Sequence, residues 1–325
     1  MITPDALVSL AHSNAQFERF APWSEPLILI DLSGEHAAPP PALGGWLHTL
    51  SCVVIGIGAD AHPFAPLCDT VIADRSSAES AIAAIARAPM AALVLAQILR
   101  LTEYAAPDAA LTTESLAYAA LQFGGEHLAW RSARGVKAAP AREPGPPVLV
   151  EREGAHLRLT LNRPGNRNAI SVEMRDALVE AFDLAAIDAN ISTIELRGAG
   201  RCFSVGGDLV EFGLAPDPAT AHAVRSVRLP ARRMLACAGR LRVHLHGACI
   251  GAGAELPAFA KQVTARADTF FQLPEIAMGL IPGAGGCVSL PRRIGRQRTA
   301  YWALSGRRIS AKTALAWGLI DAIEP

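Results

Sequence analysis

The chain has 325 residues, of which 51% are hydrophobic and 18% charged, which is enough for one large domain or two ordinary ones with apolar cores. Thirty basic and thirty acidic residues cancel, so the net charge gives no reason to expect nucleic acid or a membrane surface as a partner. None of the six cysteines forms a Cys-x-x-Cys pair, which argues against a zinc site or a disulfide framework and favours a reducing, cytoplasmic location.

Residues 1–137 carry a loose α/β pattern. The stretches "LILIDL" and "CVVIGIG" predict buried strands, and a helix is expected from Ser77 to about Arg87. The apolar run at 90–99 predicts a buried strand or helix, because it is shorter than the ~20 residues that span a bilayer. A long helix is expected over 112–134, and "MITPDALVSLAH" at the start lacks the features of a signal peptide.

A proline-rich segment, "AAPAREPGPP", occupies residues 138–147 and cannot sustain a helix or a central strand. We therefore predict a linker there, followed by an α/β domain over 148–325. In that domain, "VLVEREG" and "HLRLTLNRP" alternate as a hairpin does, and "SVEMRDALVEAFDLAAID" has helical spacing with Ser171 as its N-cap. The β-branched residues of "ISTIELRG" predict a further strand.

Two stretches on either side of the linker share an order of features. In "VVIGIGADAHPFAPLCD" and "IELRGAGRCFSVGGD", a strand and a glycine turn precede a phenylalanine and an aspartate, with Phe64 and Asp69 spaced as Phe203 and Asp208 are. This predicts a degenerate internal repeat, although two unrelated segments with chance spacing would look the same. Leu67–Cys68 stands where the second copy has a glycine pair, so no second active site is expected.

The chemistry-bearing residues follow the linker. The turns "CFSVGGDL" (202–209) and "GACIGAGAEL" (247–256) lack bulky side chains and can present backbone N–H groups to a ligand. A helix is expected to begin near Ala252, so that Glu255 falls in its first turn, and a second acid, Glu275, follows a proline. "PGAGG" at 282–286 predicts the start of another helix.

These blocks resemble the enoyl-CoA hydratase/isomerase (crotonase) family. "LNRPGNRNAIS", "CFSVGGDL", "HGACIGAGAEL", "FQLPEIAMGLIPGAGG" and the stretch from "LPRRIGRQR" onward occur in the family's order and spacing over 148–325. The resemblance implies an α/β fold of repeated ββα units, the ClpP/crotonase fold. It also implies an acyl-CoA substrate, no metal, and no cofactor beyond the coenzyme A moiety of that substrate.

The resemblance further implies site residues. The backbone N–H groups of Gly207 and Ala252 would form an oxyanion hole for the thioester oxygen, where losing one donor costs ~10²- to 10³-fold in rate. Glu255 and Glu275 would hold a water and exchange its protons with the substrate. The residues expected around coenzyme A are Arg167, Asn168, Ala169, Val205, Gly206, Asp208 and Gly251.

Three features depart from the family. Lys261 stands where members usually have an acid six positions after the first glutamate, and Pro257 lies where the helix of Glu255 should continue, at a cost of ~3 kcal/mol unless that helix is placed later. Members usually continue into helices beyond the point where this sequence ends. We expect the helix over 114–133 to replace them, packing through Leu116, Ala120, Phe123 and Leu128 on the main domain or a neighbouring subunit.

The sequence favours a hydratase that adds water across a 2,3-double bond, since both glutamates are present. An isomerase, a hydrolase or a cofactor-free oxygenase could use the same oxyanion hole, and a non-catalytic scaffold is the competing class. A homotrimer or homohexamer is expected by resemblance. Neither the acyl chain nor the structure of residues 213–227 can be deduced from the sequence.

Overall fold

The computed structural model describes residues 1–11, 18–135 and 143–324 of the chain. Up to residue 135, helices alternate with three short strands. In chain order these elements are α1 (Pro4–Ala11), β1 (Leu27–Leu32), α2 (Pro41–Thr49), β2 (Val53–Gly58), β3 (Thr70–Ile72), α3 (Arg75–Arg87), α4 (Pro89–Thr102), α5 (Pro107–Gln122) and α6 (Gly125–Arg134).

The three strands form a parallel sheet in the order β1-β2-β3, which confirms the strands predicted from "LILIDL" and "CVVIGIG". Successive residues of β2 point to opposite faces of this sheet. Val54 packs in a cluster with Leu7 of α1 and Leu47 of α2, whereas Val53 and Ile55 pack in the larger core that includes α3 and α4. Both faces of the sheet are therefore covered by helices.

The predicted helices of this region are confirmed with one exception. The apolar run at 90–99 is helical and belongs to α4, which begins with a proline at its first position, where a missing N–H costs nothing. The long helix expected over 112–134 is in fact two helices. Gly124 has extended backbone (φ −75°, ψ 153°) and separates α5 from α6, because adjacent glycines at 124 and 125 favour helix poorly.

The second part of the described chain runs from residue 143 and builds the larger sheet. Its elements are β4 (Val148–Glu153), β5 (His156–Leu161), α7 (Val172–Ile187), β6 (Thr193–Gly198), α8 (Pro218–Arg228), α9 (Pro230–Cys237), β7 (Leu241–Leu245), β8 (Ala248–Ile250), α10 (Ala252–Glu255), β9 (Gln262–Arg266), β10 (Phe270–Gln272), α11 (Gly286–Ile294), α12 (Arg296–Ser305), β11 (Ile309–Ser310), α13 (Ala311–Trp317) and β12 (Ala322–Glu324).

Two sheets organise this part. The larger one has the order β12-β9-β7-β6-β5-β4 and is parallel except for the β4–β5 pair, which is the predicted hairpin. The smaller one has the order β11-β10-β8, and its parallel β8–β10 pair carries the turn at 251. Ser171 caps α7 as predicted, since its side chain accepts a hydrogen bond from Met174 N.

A buried ion pair connects the two parts of the chain. Asp69 accepts two hydrogen bonds from Arg100 of α4, at 2.6 and 2.7 Å, and lies 3.6 Å from Arg296 of α12. The larger apolar core is likewise continuous from α3, α4 and α5 into the later sheets. The division at 138–147 stays a prediction, and residues 138–142 of that segment lie outside the described residues.

The internal repeat also stays a prediction. Phe64 and Phe203 are both buried, at 3% and 2% exposure. Their aspartates differ, because Asp69 belongs to the buried ion pair and Asp208 lines a cavity. Within the described ranges no single helix is both long and apolar enough to cross a bilayer; α3 and α4 pass that test only as a pair, bent by 110°.

Candidate active site

A cavity of about 940 Å³ lies between the N-terminal helices and the later sheets, and we call it the central cavity. Its walls come from the turns after β5, β6 and β8, from α8, and from the segment that follows β10. Tyr118 and Gln122 of α5 and Arg134 of α6 close it from the N-terminal side. All four residues predicted to be catalytic line this cavity.

Two backbone N–H groups in the cavity wall have no acceptor within residues 1–11, 18–135 and 143–324. Ile170 donates to Gly206 O at 2.8 Å and accepts from Asp208 N at 3.2 Å, a bridge that leaves the N–H of Gly207 between them without an acceptor among the described residues. Ala252 is the first residue of α10, so its N–H has no partner within the helix. A Cβ on Gly206 would lie 3.4 Å from Ala252 N, which shows how closely the two turns approach.

Gly251 fixes the geometry between these donors and the two acids. Its backbone has φ 51° and ψ −121°, in the left-handed half of the map where side chains are disfavoured, and its N–H donates to Gln272 O at 2.9 Å. A Cβ at this position would lie 2.6 Å from Glu275 Oε1 and 3.9 Å from Glu255 Oε1. Both carboxylates therefore face the space beside Gly251.

Glu255 is buried, but its hydrogen-bond donors partly offset the cost of ionising it there. It is 2% exposed, and its Oε2 accepts hydrogen bonds from Ala284 N at 2.6 Å and Gly286 N at 2.9 Å, at the start of α11. Burial raises the pKa of Glu255 to about 7, and the two N–H donors and the charge of Arg225 oppose the rise. At neutral pH this carboxyl can thus both hold and accept a proton.

Among the described residues, Oε2 of Glu275 lacks the hydrogen-bond donors that Oε2 of Glu255 has. It begins the 3₁₀ helix Glu275–Met278, and its Oε2 is buried without a hydrogen-bond partner in the part of the chain that the structure describes. Burial, together with the nearby charge of Glu255, raises the pKa of Glu275 well above its ordinary value. Near neutral pH, Glu255 is therefore partly ionised and able to accept a proton, whereas Glu275 keeps its proton.

The residues expected around coenzyme A are brought to the central cavity, except one. Lining positions are occupied by Arg167, Ala169, Val205, Gly206, Asp208 and Gly251. Asn168 is fully buried behind the wall, and its side-chain amide donates to the carbonyls of Ala199, Cys202 and Phe203. This side chain ties the 163–171 turn to the 202–208 turn and does not line the cavity.

The two local departures from the family pattern leave the site intact. Lys261 is exposed and does not line the cavity, so its charge does not face the glutamates. Pro257 causes no kink, because α10 ends at Glu255 and the proline opens a separate 3₁₀ turn, Pro257–Phe259. No helical hydrogen bond is lost at the proline.

Sequence reasoning missed the residues that the N-terminal helices and α8 contribute. Helix α5 does pack on the later part of the chain, as expected, but not through the predicted residues: Leu116 of α5 and Leu128 of α6 are 54% and 46% exposed, whereas Tyr118 of α5 is buried. Helix α8 lies in the segment left unassigned, where Asp217 caps it ahead of a proline at its first position. That Asp-Pro pair was a readable start signal for a helix.

Comparison with known proteins places the chain in a family. The enoyl-CoA hydratase/isomerase family model matches residues 151–325. The chain is 36% identical to the 2,3-dehydroadipyl-CoA hydratase of Escherichia coli K12, over 55% of this chain and 69% of that protein. It is 34% identical to the 1,2-epoxyphenylacetyl-CoA isomerase of the same organism, over 53% and 68%.

Solved structures agree with these relatives. An enoyl-CoA hydratase from Thermoplasma volcanium GSS1 superposes with a TM-score of 0.51 at 34% identity, covering 55% of this chain and 72% of the other. The fold of the later part is thus the crotonase fold that the sequence predicted. The chain belongs to the enoyl-CoA hydratase/isomerase, or crotonase, family.

Proposed function

We propose that this protein is an enoyl-CoA hydratase that adds water across the 2,3-double bond of an acyl-CoA thioester. One observation carries the proposal: two buried carboxyls, Glu255 and Glu275, face one space beside two backbone N–H groups that have no acceptor among the described residues. Hydration needs this combination, since one group must accept a proton from water and another must deliver a proton to carbon.

The free N–H groups of Gly207 and Ala252 would bind the thioester oxygen. When water attacks C3, the electrons of the double bond move onto this oxygen, and the thioester becomes an enolate. Donors that are already in place stabilise the new charge without reorganisation, which makes them more effective than water. Glycines at 206 and 207 add no side chain of their own beside this oxygen, and a Cβ on Gly207 would lie 2.7 Å from the ring of Phe212.

The proton transfers balance across the two acids. Glu255 would accept a proton from the water as its oxygen bonds to C3, and Glu275 would give its own proton to C2 as the enolate collapses. The product gains one water, and the proton left on Glu255 must return to Glu275, directly or through solvent, before the next turnover. Both carboxyls lie beside Gly251, so they are placed for that exchange.

The coenzyme A moiety would lie along the turns at 167–169 and 205–208. Arg167 is exposed and lines the central cavity, so its guanidinium can meet a phosphate of the ligand. Asp208 keeps the second turn in place, since its carboxylate accepts from Asn166 Nδ2 and Val210 N, both at 3.0 Å. Backbone groups at Val205 and Gly206 complete this wall.

A double-bond isomerase is the second candidate, favoured by the trans-2-decenoyl-[acyl-carrier-protein] isomerase of Streptococcus mutans, a relative at 31% identity. Isomerisation moves protons between carbons and adds no water, so it leaves the mass of the substrate unchanged. The test is mass spectrometry of crotonyl-CoA and of longer and aromatic enoyl-CoAs incubated with the protein and with its Glu255→Gln and Glu275→Gln variants.

A mass gain of one water that both substitutions suppress supports hydration. Glu255→Gln preserves the fold in this test, because a single amide oxygen can accept both N–H groups that Oε2 now binds. An exposed acid, Glu79, provides the control variant Glu79→Gln. An unchanged mass with demonstrated acyl-CoA binding would point to an isomerase or another crotonase reaction, and absence of acyl-CoA binding would point to a scaffold.

We also propose a homotrimer or homohexamer and a cytoplasmic location. The first rests on resemblance to the family and is tested by sedimentation equilibrium. The second is supported by the cysteines, all six of which are buried and free, as in proteins of a reducing compartment.

A further inference from the structure

Glu114 of α5 is a buried acid that the proposed reaction does not use. It is 0% exposed and comes from the part of the chain that precedes the family match. Its Oε1 accepts a hydrogen bond from Gly285 N at 2.8 Å, and its Oε2 accepts one from Cys287 N at 2.9 Å. Both oxygens are thus bound to the turn that begins α11.

The same turn binds Glu255. Glu255 takes the N–H groups of residues 284 and 286, and Glu114 takes those of residues 285 and 287, so two carboxylates bind four consecutive amides in alternation. The turn therefore lies between the two acids. A shift of the turn on the Glu114 side displaces the amides that orient Glu255 on the other.

Charged and titratable groups from each packed element face Glu114. Arg225 of α8 lies 3.7 Å from Oε1, Tyr118 lies on α5 itself, and Cys287 lies on α11. Burial, followed by the charge of Glu255, raises the pKa of Glu114 to about 8, against the effect of Arg225 and the two N–H donors. Burying an isolated carboxyl would be strongly unfavourable, so the two backbone donors and the nearby Arg225 offset the cost of burying Glu114.

The helix is also fitted to the turn by shape. A Cβ on Gly283 would lie 2.1 Å from Cδ2 of Tyr118, so the ring rests directly on the glycine. The guanidinium of Arg225 lies over the same ring, with Cζ 4.4 Å from the ring centroid, and donates a hydrogen bond to Gly283 O. Helix α5 therefore contacts the turn at two successive positions of one face, through Glu114 and Tyr118.

We propose that Glu114 is a positioning residue that holds the 284–287 turn so that its amides orient Glu255 for proton transfer. The proposal rests on the hydratase function argued above. It assigns to the N-terminal part of the chain a direct role in arranging the active site. Glu114 acts only through Glu255 and does not touch the substrate.

Substitution can separate this role from a general structural one. Glutamine cannot replace Glu114, because it offers one acceptor oxygen and would place its NH₂ against an N–H. Glu114→Met removes both acceptors without adding a donor, and serves as a second variant if Glu114→Gln does not fold. Glu126→Gln is the matched control, since Glu126 of α6 also binds two successive backbone amides, Met90 N and Ala91 N, away from the cavity.

The measurement is a double-variant cycle on hydration of crotonyl-CoA, with KM and kcat determined separately. We expect Glu114→Gln and Glu114→Met to lower kcat by ~10- to 100-fold, the usual effect of a displaced catalytic group, with KM changed much less. In the Glu255→Gln background the same substitutions should cause no further fall, since Glu114 acts through that side chain. Glu126→Gln should keep the wild-type kcat.

Additive losses in the double variant, or an equal loss in Glu126→Gln, would overturn the proposal and leave Glu114 with a structural role only. Loss of folding in both Glu114 variants would do the same. These outcomes are distinct from failure of the proposed function, in which the wild-type protein itself does not hydrate the substrate.

Discussion

Glu255 and Glu275 face the same space beside Gly251 but are held in opposite ways. Two backbone N–H groups bind Oε2 of Glu255, whereas Oε2 of Glu275 is buried and unpaired within the described residues. Pairs of carboxyls whose surroundings separate their pKa values divide acid and base roles in many enzymes. The predictions below follow from this relationship and from the contacts that support it.

The pH dependence of the reaction should report both acids. Glu255 must be ionised to accept a proton, and its pKa is raised to about 7, so kcat/KM should rise as the pH increases through about 7. It should fall again at higher pH, where Glu275 loses the proton that it delivers. The measurement is kcat/KM for crotonyl-CoA from pH 5 to 10, and a kcat/KM that is already constant between pH 5 and 7, as an ordinary glutamate with a pKa of about 4.3 would give, would contradict the account.

Gly251→Ala should damage the site directly. The left-handed backbone costs a non-glycine residue about 1–2 kcal/mol, and the added methyl group would meet Glu275 Oε1 at 2.6 Å. We expect kcat/KM to fall by ~10²-fold, because the Glu275 carboxyl must move from its position beside Glu255. Gly239→Ala is the control, since a Cβ there meets no atom within 4 Å, and equal losses in both variants would show that position 251 has no special role.

Gly283→Ala should weaken the docking of α5. The new methyl group would overlap the ring of Tyr118, and overpacking of this kind costs about 1–3 kcal/mol in the free energy of unfolding. Urea denaturation measures the loss. Removing the ring in the Tyr118→Ala background should make the added methyl tolerable, whereas Gly125→Ala, in open space on α6, should be neutral. An equal cost of Gly283→Ala with and without the ring would rule out this contact.

Asp69→Ala should destabilise the fold, although Asp69 does not line the central cavity. It leaves Arg100 buried and unpaired, and breaking a buried ion pair from one side costs about 3–5 kcal/mol. Asp268→Ala breaks an exposed pair with Arg266 and should cost about 0–1 kcal/mol. Thermal and urea unfolding of the two variants check the contrast, and similar small losses in both would show that the buried Asp69 pair contributes little to stability.

The sequence predicted the positions of the candidate catalytic residues better than it predicted the packing of the N-terminal part. The positions of Gly207, Ala252, Glu255 and Glu275 depend on local turns with glycine signatures, so their arrival in one cavity could be anticipated from the family pattern. Their catalytic roles stay predictions. The placement of Asn168 could not be anticipated, because a buried amide bound to three carbonyls looks the same in sequence as a ligand-binding one.

The face of α5 was predicted wrongly for a physical reason. Apolar spacing selected Leu116 of α5 and Leu128 of α6, since that rule assumes that a helix buries its largest apolar residues, but both are exposed. Here the helix packs on the backbone of a glycine-rich turn through the polar Glu114 and the ring of Tyr118. A contact between residues 171 positions apart leaves no local signal in the sequence.

The most direct test of the central claim is hydration of crotonyl-CoA in oxygen-18 water, followed by mass spectrometry of the product. The account predicts that wild-type protein incorporates one labelled oxygen as a 3-hydroxyl group, and that Glu255→Gln and Glu275→Gln each suppress it while still binding the substrate. Labelled product at an unchanged rate in either variant would contradict the division of acid and base roles between the two glutamates.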